Sequence, residues 1–325
     1  MMNIIFGPPG TGKTHKLLTI VEEGLAKGLD PDQIGYFAYT RKAANEAITR
    51  AVDRFPQYDK KDFKYFRTLH SLAYMELGLS DTSLMDDTDY KDVSDLLNVK
   101  LSNPTNKYDS YGMGWQDDKF VNIIDLARIK DVSLEHQFCQ PETGHLPGGF
   151  LKLRKIASGL EKYKKQNGFL DFTDMIIEFN KRKKSPKFKL LIIDEAQDLS
   201  SIQWNMVDIL AQNSTHTYIA GDDDQAIFEW AGAHPWRFKQ LKGNRIILDQ
   251  SFRVPLAVQQ RANAVISRVD DRVHKDWKAT DRDGSLKLRV NPYGHVDFLK
   301  DDWLILARTN YLLDKVEEEL KTRGI

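Results

Sequence analysis

The sequence predicts an α/β fold built on a parallel sheet, and three observations carry that prediction. An apolar run, Asn3 to Phe6, leads through Gly7-Pro8-Pro9-Gly10-Thr11-Gly12-Lys13-Thr14 into a helical pattern, His15 to Val21. A second apolar run, Leu190 to Ile193, ends in Asp194-Glu195. Between and after them, apolar segments that end in polar loops alternate with helix-forming segments, as strands and crossover helices do.

The first of these is the strand, glycine-rich loop and helix of a P-loop. Glycines let the backbone curl so that successive N–H groups point at phosphate oxygens, and the helix N-terminus adds partial positive charge. Gly7, Pro8, Pro9, Gly10, Thr11, Gly12, Lys13 and Thr14 are therefore candidate nucleotide-binding residues, with Lys13 reaching the β/γ-phosphates and Thr14 a ligand of Mg²⁺. The alternative, an ordinary glycine-rich turn, does not account for all eight positions in a strand-to-helix setting.

With 325 residues, 41% hydrophobic and 29% charged, the chain can bury a substantial core divided over two or three domains. No apolar run approaches the length of a membrane span, and the apolar start runs straight into the P-loop, which predicts a soluble, intracellular (cytoplasmic) protein with no membrane partner. The single cysteine, Cys139, excludes an intramolecular disulfide. Lys plus Arg and Asp plus Glu each number 47, so there is no global basic field and any nucleic-acid contact must be local.

In chain order, Pro31-Asp32 breaks the first helix, and Gln33 to Tyr39 predicts a second buried strand ending at Thr40-Arg41-Lys42. Ala43 to Arg50 is strongly helix-forming, so Tyr39, Thr40 and Arg41 fall at the carboxyl end of a strand, where open α/β sheets place ligands. An aromatic followed by a hydroxyl and two cations suits a stacked base and phosphates; a buried Tyr beside solvated charges is the bland alternative. Tyr65 to Leu72 predicts a third strand running into a helix start, with Thr68, His70 and Ser71 able to hydrogen-bond phosphate. From about Ser80 to Asn167, loops alternate with helical pieces such as Phe120 to Ile129 and Leu151 to Lys165, an inserted, mostly helical subdomain. His136, Cys139 and His145 within it invite a zinc site, but no fourth ligand stands at a suitable spacing, and Pro141, Gly144 and Pro147 suggest a plain loop.

The core resumes at Gly168 to Met175, and Leu190 to Glu195 forms the matching half of the P-loop. A buried parallel strand delivers Asp194 to Mg²⁺ and Glu195 to an attacking water, provided that it lies beside the strand feeding Gly7. His216 to Gln225 gives another strand and polar loop, with Gln225 suited to sensing the γ-phosphate. The continuation through Phe228 and Trp230 places two aromatics a few residues from that sensor, for a stacked base or for the core. Leu248 to Pro255 supplies Arg253 beyond a strand, available to stabilise phosphoryl-transfer charge.

Read together from Gly7 to about Pro255, these segments resemble the UvrD/PcrA/Rep family of superfamily 1A DNA helicases. GPPGTGKT is similar to motif I, YTRKAA to Ia, TLHSL to Ib, DEAQD to II, GDDDQAIFEWAGA to III and QSFR to IV. LDFTD is similar to the segment that closes the family's 1B subdomain. The resemblance implies a RecA-like sheet with a helical insertion, followed by the start of a second RecA-like domain. It implies a division into 1–79 (1A, first part), 80–167 (1B), 168–252 (1A, second part) and 253–325 (start of 2A).

By the same resemblance, Lys13, Glu195, Gln225 and Arg253 serve catalysis, Thr14 and Asp194 hold Mg²⁺, and ATP lies on the P-loop with Arg41 nearby. Tyr39, Thr40, Thr68, His70, Phe228 and Trp230 face DNA. The implied function is ATP-dependent 3′-to-5′ translocation on single-stranded DNA, with a tailed duplex as substrate for unwinding. A non-catalytic ATP-binding module that grips single strands, and the motor part of an ATP-dependent nuclease, are the alternatives.

Three departures stand out. Only two methionines precede the first strand, so the family's upstream adenine-reading Gln has no counterpart. Ala231 stands where an Arg often follows the motif III tryptophan. Trp303 to Asn310 looks like the opening strand of the second motor domain, but motifs V and VI do not follow before Ile325. A truncated piece of a longer helicase, with weak ATPase and no unwinding, is therefore expected.

Overall fold

The computed structural model describes residues 1–103, 117–141, 144, 146–287, 298–300, 303–307 and 309–324. Strand β1 (Met2–Phe6) feeds the P-loop and helix α1 (Lys13–Ala26). Then follow β2 (Ile34–Phe37), α2 (Arg41–Arg54), the short β3 (Phe66–Arg67) and α3 (Leu69–Leu77). Helices α4 (Asp87–Leu97), α5 (Asp118–Lys130), α6 (Leu134–Phe138) and α7 (Gly149–Asn167) occupy the predicted helical stretch. The chain returns through α8 (Phe172–Arg182), β4 (Phe188–Ile193), α9 (Ser201–Gln212), β5 (Ser214–Gly221), α10 (Pro235–Lys239) and β6 (Asn244–Ile247). It continues into α11 (Leu256–Ile266) and α12 (Asn310–Thr322).

The six strands form one parallel sheet in the order β3-β2-β4-β5-β1-β6. Successive side chains of a strand point to opposite faces, so an unbroken apolar run fits a sheet covered on both sides. Ile4 and Phe6 of β1, with Leu191 and Ile193 of β4, pack against residues of α3, α8, α9 and α10, including the fully buried Trp204 and Phe238. Ile5, Leu190 and Ile192 face the other way, onto Leu17 and Val21 of α1 and Ala44 and Ala47 of α2. This is the RecA-like P-loop arrangement, with the loops at the carboxyl ends of the strands gathered along one edge. A third apolar cluster, built from Tyr90 and Val93 of α4, Phe120 and Ile124 of α5, and Leu153 and Ile156 of α7, lies within the helical stretch.

Two expectations are corrected. The strand bearing Asp194 does not lie beside the strand feeding Gly7, because β5 stands between them. Parallel order brings all three carboxyl ends to one edge, so α1 reaches Asp194 by crossing the intervening strand, and adjacency is not needed. The expected strand from Trp303 is also missing: residues 303–307 adopt no strand pairing, with Leu304 and Leu306 exposed, and Arg308 lies outside the described residues. A strand holds its backbone groups only against a ladder partner, and no described strand flanks this run. No helix among the described residues is long and apolar enough to cross a membrane.

Candidate nucleotide site

The P-loop is fixed from both sides. Gly7 N donates to Gly221 O of β5 at 3.1 Å, and the hydroxyl of the buried Thr11 closes the turn on Pro8 O at 2.8 Å. Gly10 and Gly12 adopt φ of +71° and +81°, a region that side chains with a Cβ avoid. A Cβ at Gly7 would come 2.1 Å from Lys13 Cγ, and one at Gly10 would come 2.5 Å from Arg253 Cβ. The turn thus closes around Lys13 and admits the Arg253 loop only because those positions are glycine. Gly12, the residue before helix α1, offers no side-chain cap, so the first N–H groups of the helix are left for an anion.

Lys13 Nζ donates to Gly7 O at 3.0 Å and lies 3.8 Å from Glu195 Oε2. Thr14 Oγ1 donates to Asp194 Oδ2 at 3.3 Å. These contacts join β1, α1 and β4 at one point. Asp194 is buried, and its Oδ2 also accepts from the Tyr36 hydroxyl at 3.0 Å, while Oδ1 accepts from Glu195 N at 2.9 Å. Burial, reinforced by the neighbouring Glu195, pushes the Asp194 carboxyl up to about 6. A carboxylate and a hydroxyl converging at a helix N-terminus form the oxygen donor set that a small hard cation takes, so Thr14 and Asp194 fit Mg²⁺.

Glu195 itself sits at φ +52°, a left-handed conformation costing about 1–2 kcal/mol for a residue with a Cβ. The turn aims its half-exposed side chain towards Lys13 rather than along the strand. Gln197 holds it there, donating to Glu195 Oε2 at 3.0 Å and accepting from Asp222 N at 3.0 Å. The end of β4 is thereby tied to the end of β5. Asp198, to which Gln197 also donates, is raised to about 7 by burial and then by Glu195.

Gln225 ends a short turn after β5, and its Nε2 donates to Asp222 Oδ2 at 2.5 Å. Arg253 reaches the site through its backbone neighbours: Ser251 Oγ donates to Pro9 O at 2.8 Å and Phe252 N to Gly10 O at 2.9 Å. Arg41, in contrast, is the exposed first residue of α2, and no hydrogen bond or ion pair among the described residues ties it to the P-loop.

The residues expected to face nucleic acid lie along the same edge of the sheet. Tyr39 stacks on Phe228, with ring centroids 5.7 Å apart and planes at 25°, and Trp230 follows at 6.4 Å from Phe228. Tyr39 and Trp230 are exposed and Phe228 is half-buried, so the aromatics are not core residues. Thr40 and Thr68 each cap a helix, accepting from Ala43 N and Ser71 N, which leaves each hydroxyl proton free to donate elsewhere. His70 is half-buried with its ring 5.8 Å from Phe172, and burial pulls its imidazole down to about 4. In the free chain it is therefore neutral at physiological pH. Of the trio considered for zinc, His136 lies in α6 bonded to Gln140, Cys139 is exposed, and His145 lies outside the described residues.

Several residues of this edge carry no signal in the sequence. Tyr36 reads as one more apolar position of β2, and Lys275 and Arg272 lie far from any motif. The latter two bind Asp222, Asp223 and Asp224. Three consecutive carboxylates at a strand end require a cation, and that requirement was the available clue.

A family model described as the UvrD/REP helicase N-terminal domain matches residues 2–245. The chain is similar to a "Probable DNA helicase II homolog" of Mycoplasma pneumoniae, 25% identical over 374 residues, covering 99% of this chain and 51% of that protein. It is similar to "ATP-dependent DNA helicase Rep" of Buchnera aphidicola subsp. Baizongia pistaciae, 31% identical, covering 81% of this chain and 40% of that protein. It is also 25% identical to "ATP-dependent DNA helicase PcrA" of Staphylococcus aureus, covering 85% and 39%. The chain spans about half the length, or less, of these curated relatives.

Proposed function

The chain belongs to the UvrD/REP helicase family, and from that premise we propose that it is the N-terminal motor portion of an ATP-dependent DNA helicase that translocates 3′-to-5′ on single-stranded DNA. The observation that carries this is the convergence of Lys13 and Thr14 from the start of α1 with Asp194 and Glu195 from the end of β4, with the aromatics Tyr39, Phe228 and Trp230 along the same edge of the sheet. A P-loop alone would indicate nucleotide binding. A carboxylate within salt-bridge distance of the P-loop lysine adds hydrolysis, and exposed stacked rings add a surface for bases.

Mg²⁺ held by Thr14 and Asp194 would neutralise charge on the β- and γ-phosphates. Lys13 stabilises the negative charge of the transferring phosphoryl group, and the free N–H groups opening α1 hold the phosphate oxygens. Glu195, aimed by its left-handed turn and by Gln197, orients the attacking water and accepts its proton. Gln225 and Arg253 approach the γ-phosphate side from the loops after β5 and β6. Residues 1–79 and 168–252 form the first motor domain and 80–167 its inserted subdomain, supported by the separate apolar cluster of α4, α5 and α7.

The test is hydrolysis of ATP with and without single-stranded DNA by the wild-type chain and by Lys13→Ala. Stimulation by DNA in the former and its absence in the latter support the motor. Undiminished hydrolysis in Lys13→Ala removes the P-loop from the chemistry, and nucleotide-independent DNA binding without turnover favours a passive binding module.

A further inference from the structure

Asp222, Asp223 and Asp224 follow the last residue of β5, and Asp222 is fully buried. Adjacent buried carboxylates repel one another and lose hydration, so they persist only when fully paired. Their partners come from a segment some fifty residues later. The Lys275 side chain is 1% exposed, with Nζ 2.9 Å from Asp222 Oδ1 and 3.1 Å from Asp224 Oδ2, and it bonds Asp223 Oδ1 as well. Arg272 grips Asp224 with two nitrogens, Nε at 2.8 Å and Nη2 at 2.5 Å. Val273 N takes the remaining oxygen of Asp223 at 2.7 Å.

Asp222 is thereby held by one oxygen, and its other oxygen accepts from Gln225 Nε2. The same segment then runs to the loop that carries Arg253. Ser251 N donates to Lys278 O and Thr280 N to Val254 O, both at 2.9 Å, and Arg282 Nη2 donates to Arg253 O at 2.9 Å. One strap, residues 272–282, therefore bonds Asp222, which holds Gln225, and the backbone of Arg253.

We propose that Lys275, assisted by Arg272, is a positioning residue that clamps Asp222–Asp224 and sets Gln225 in register with Arg253, so that the site distinguishes a nucleoside triphosphate from a diphosphate. Lys275 does not touch the nucleotide; it acts through Asp222. The clamp depends on Gln225 facing the γ-phosphate, as proposed above.

The test is calorimetric titration of the chain, with Mg²⁺, by ADP and by a non-hydrolysable ATP analogue. Lys275→Met should lower the preference for the triphosphate by about tenfold, the loss expected for one misplaced hydrogen bond to a charged group, with ADP affinity unchanged. Lys275→Arg should restore part of the preference. In a Gln225→Ala background, Lys275→Met should have no further effect on the ratio, because the two act as one unit. If Lys275→Met does not fold, Arg272→Gln, which removes the two guanidinium bonds to Asp224 and leaves Lys275 in place, should lower the ratio in the same direction. A wild-type preference that survives in Lys275→Met or Arg272→Gln overturns the clamp alone. Equal loss of ADP and triphosphate affinity also overturns it, showing general disruption. A wild-type chain that binds both nucleotides equally overturns the sensing role of Gln225, and the clamp with it.

Discussion

The hydroxyl of Tyr36 and the hydroxyl of Thr14 donate to the same oxygen, Asp194 Oδ2, one from inside the sheet and one from the first turn of α1. Tyr36 lies on β2, next to β4, and is itself fully buried. The carboxylate expected to hold Mg²⁺ is thus pinned by a phenol that reads in the sequence as an ordinary strand residue.

Tyr36→Phe removes that donor while keeping the ring in the core. Outer partners of a metal ligand typically contribute 10–100-fold in affinity, so Mg²⁺-dependent nucleotide binding should weaken by about tenfold or more. A titration of Mg²⁺ at fixed nucleotide measures it. An unchanged Mg²⁺ requirement would mean that Tyr36 merely fills space.

Glu195→Gln keeps Asp194, Thr14 and the P-loop but replaces the proton acceptor with an amide. Nucleotide binding should persist while turnover falls by roughly 10²-fold or more. Fluorescent-nucleotide binding and phosphate release, measured on the same preparation, separate the two. Joint loss of both would assign Glu195 a structural part instead.

Trp230 is 53% exposed, so truncating it removes little from the core. Trp230→Ala should weaken binding of a single-stranded oligonucleotide by about 1–3 kcal/mol, the range for loss of one stacked base. The melting temperature should barely move. A large fall in melting temperature with unaltered oligonucleotide affinity would sink the stacking role.

Asp198 has its carboxyl raised from 3.8 to about 7 by burial and by Glu195. Between those values the folded chain holds a proton that the unfolded chain has released, so this group's contribution to stability declines as pH rises from about 4 to about 7. Asp198→Asn removes the titration. Without Mg²⁺ or nucleotide, it should raise the melting temperature at pH 8 relative to wild type, with the gain vanishing near pH 4. The same shift at both pH values would contradict a raised carboxyl.

Motifs confined to consecutive residues were legible in the sequence because their chemistry is local. The glycines of the P-loop, the apolar run into Asp194-Glu195 and the alternation of strands and helices each state their geometry within about ten residues. Relations between distant segments were not legible. Nothing near Leu190 says that β5 will separate β4 from β1, since strand order depends on how whole crossover units pack. Nothing around Lys275 marks it as the partner of Asp222. The apolar run from Trp303 shows the converse failure: strand character in the sequence became no strand, because pairing is decided by a neighbour that a local pattern does not contain.

His70 rests against Phe172, and burial keeps its imidazole neutral at physiological pH. Tyr39, Thr68, Phe228 and Trp230 carry no charge either. A contact that neutralises a phosphate releases a condensed counterion and makes affinity fall with added salt, whereas a neutral contact releases none. On the proposed function, these five residues would hold a single strand by ring stacking and hydrogen bonds whose strength changes little with ionic strength. The salt slope of binding would then report on lysines and arginines, and substitutions at these five residues would lower affinity while leaving that slope in place.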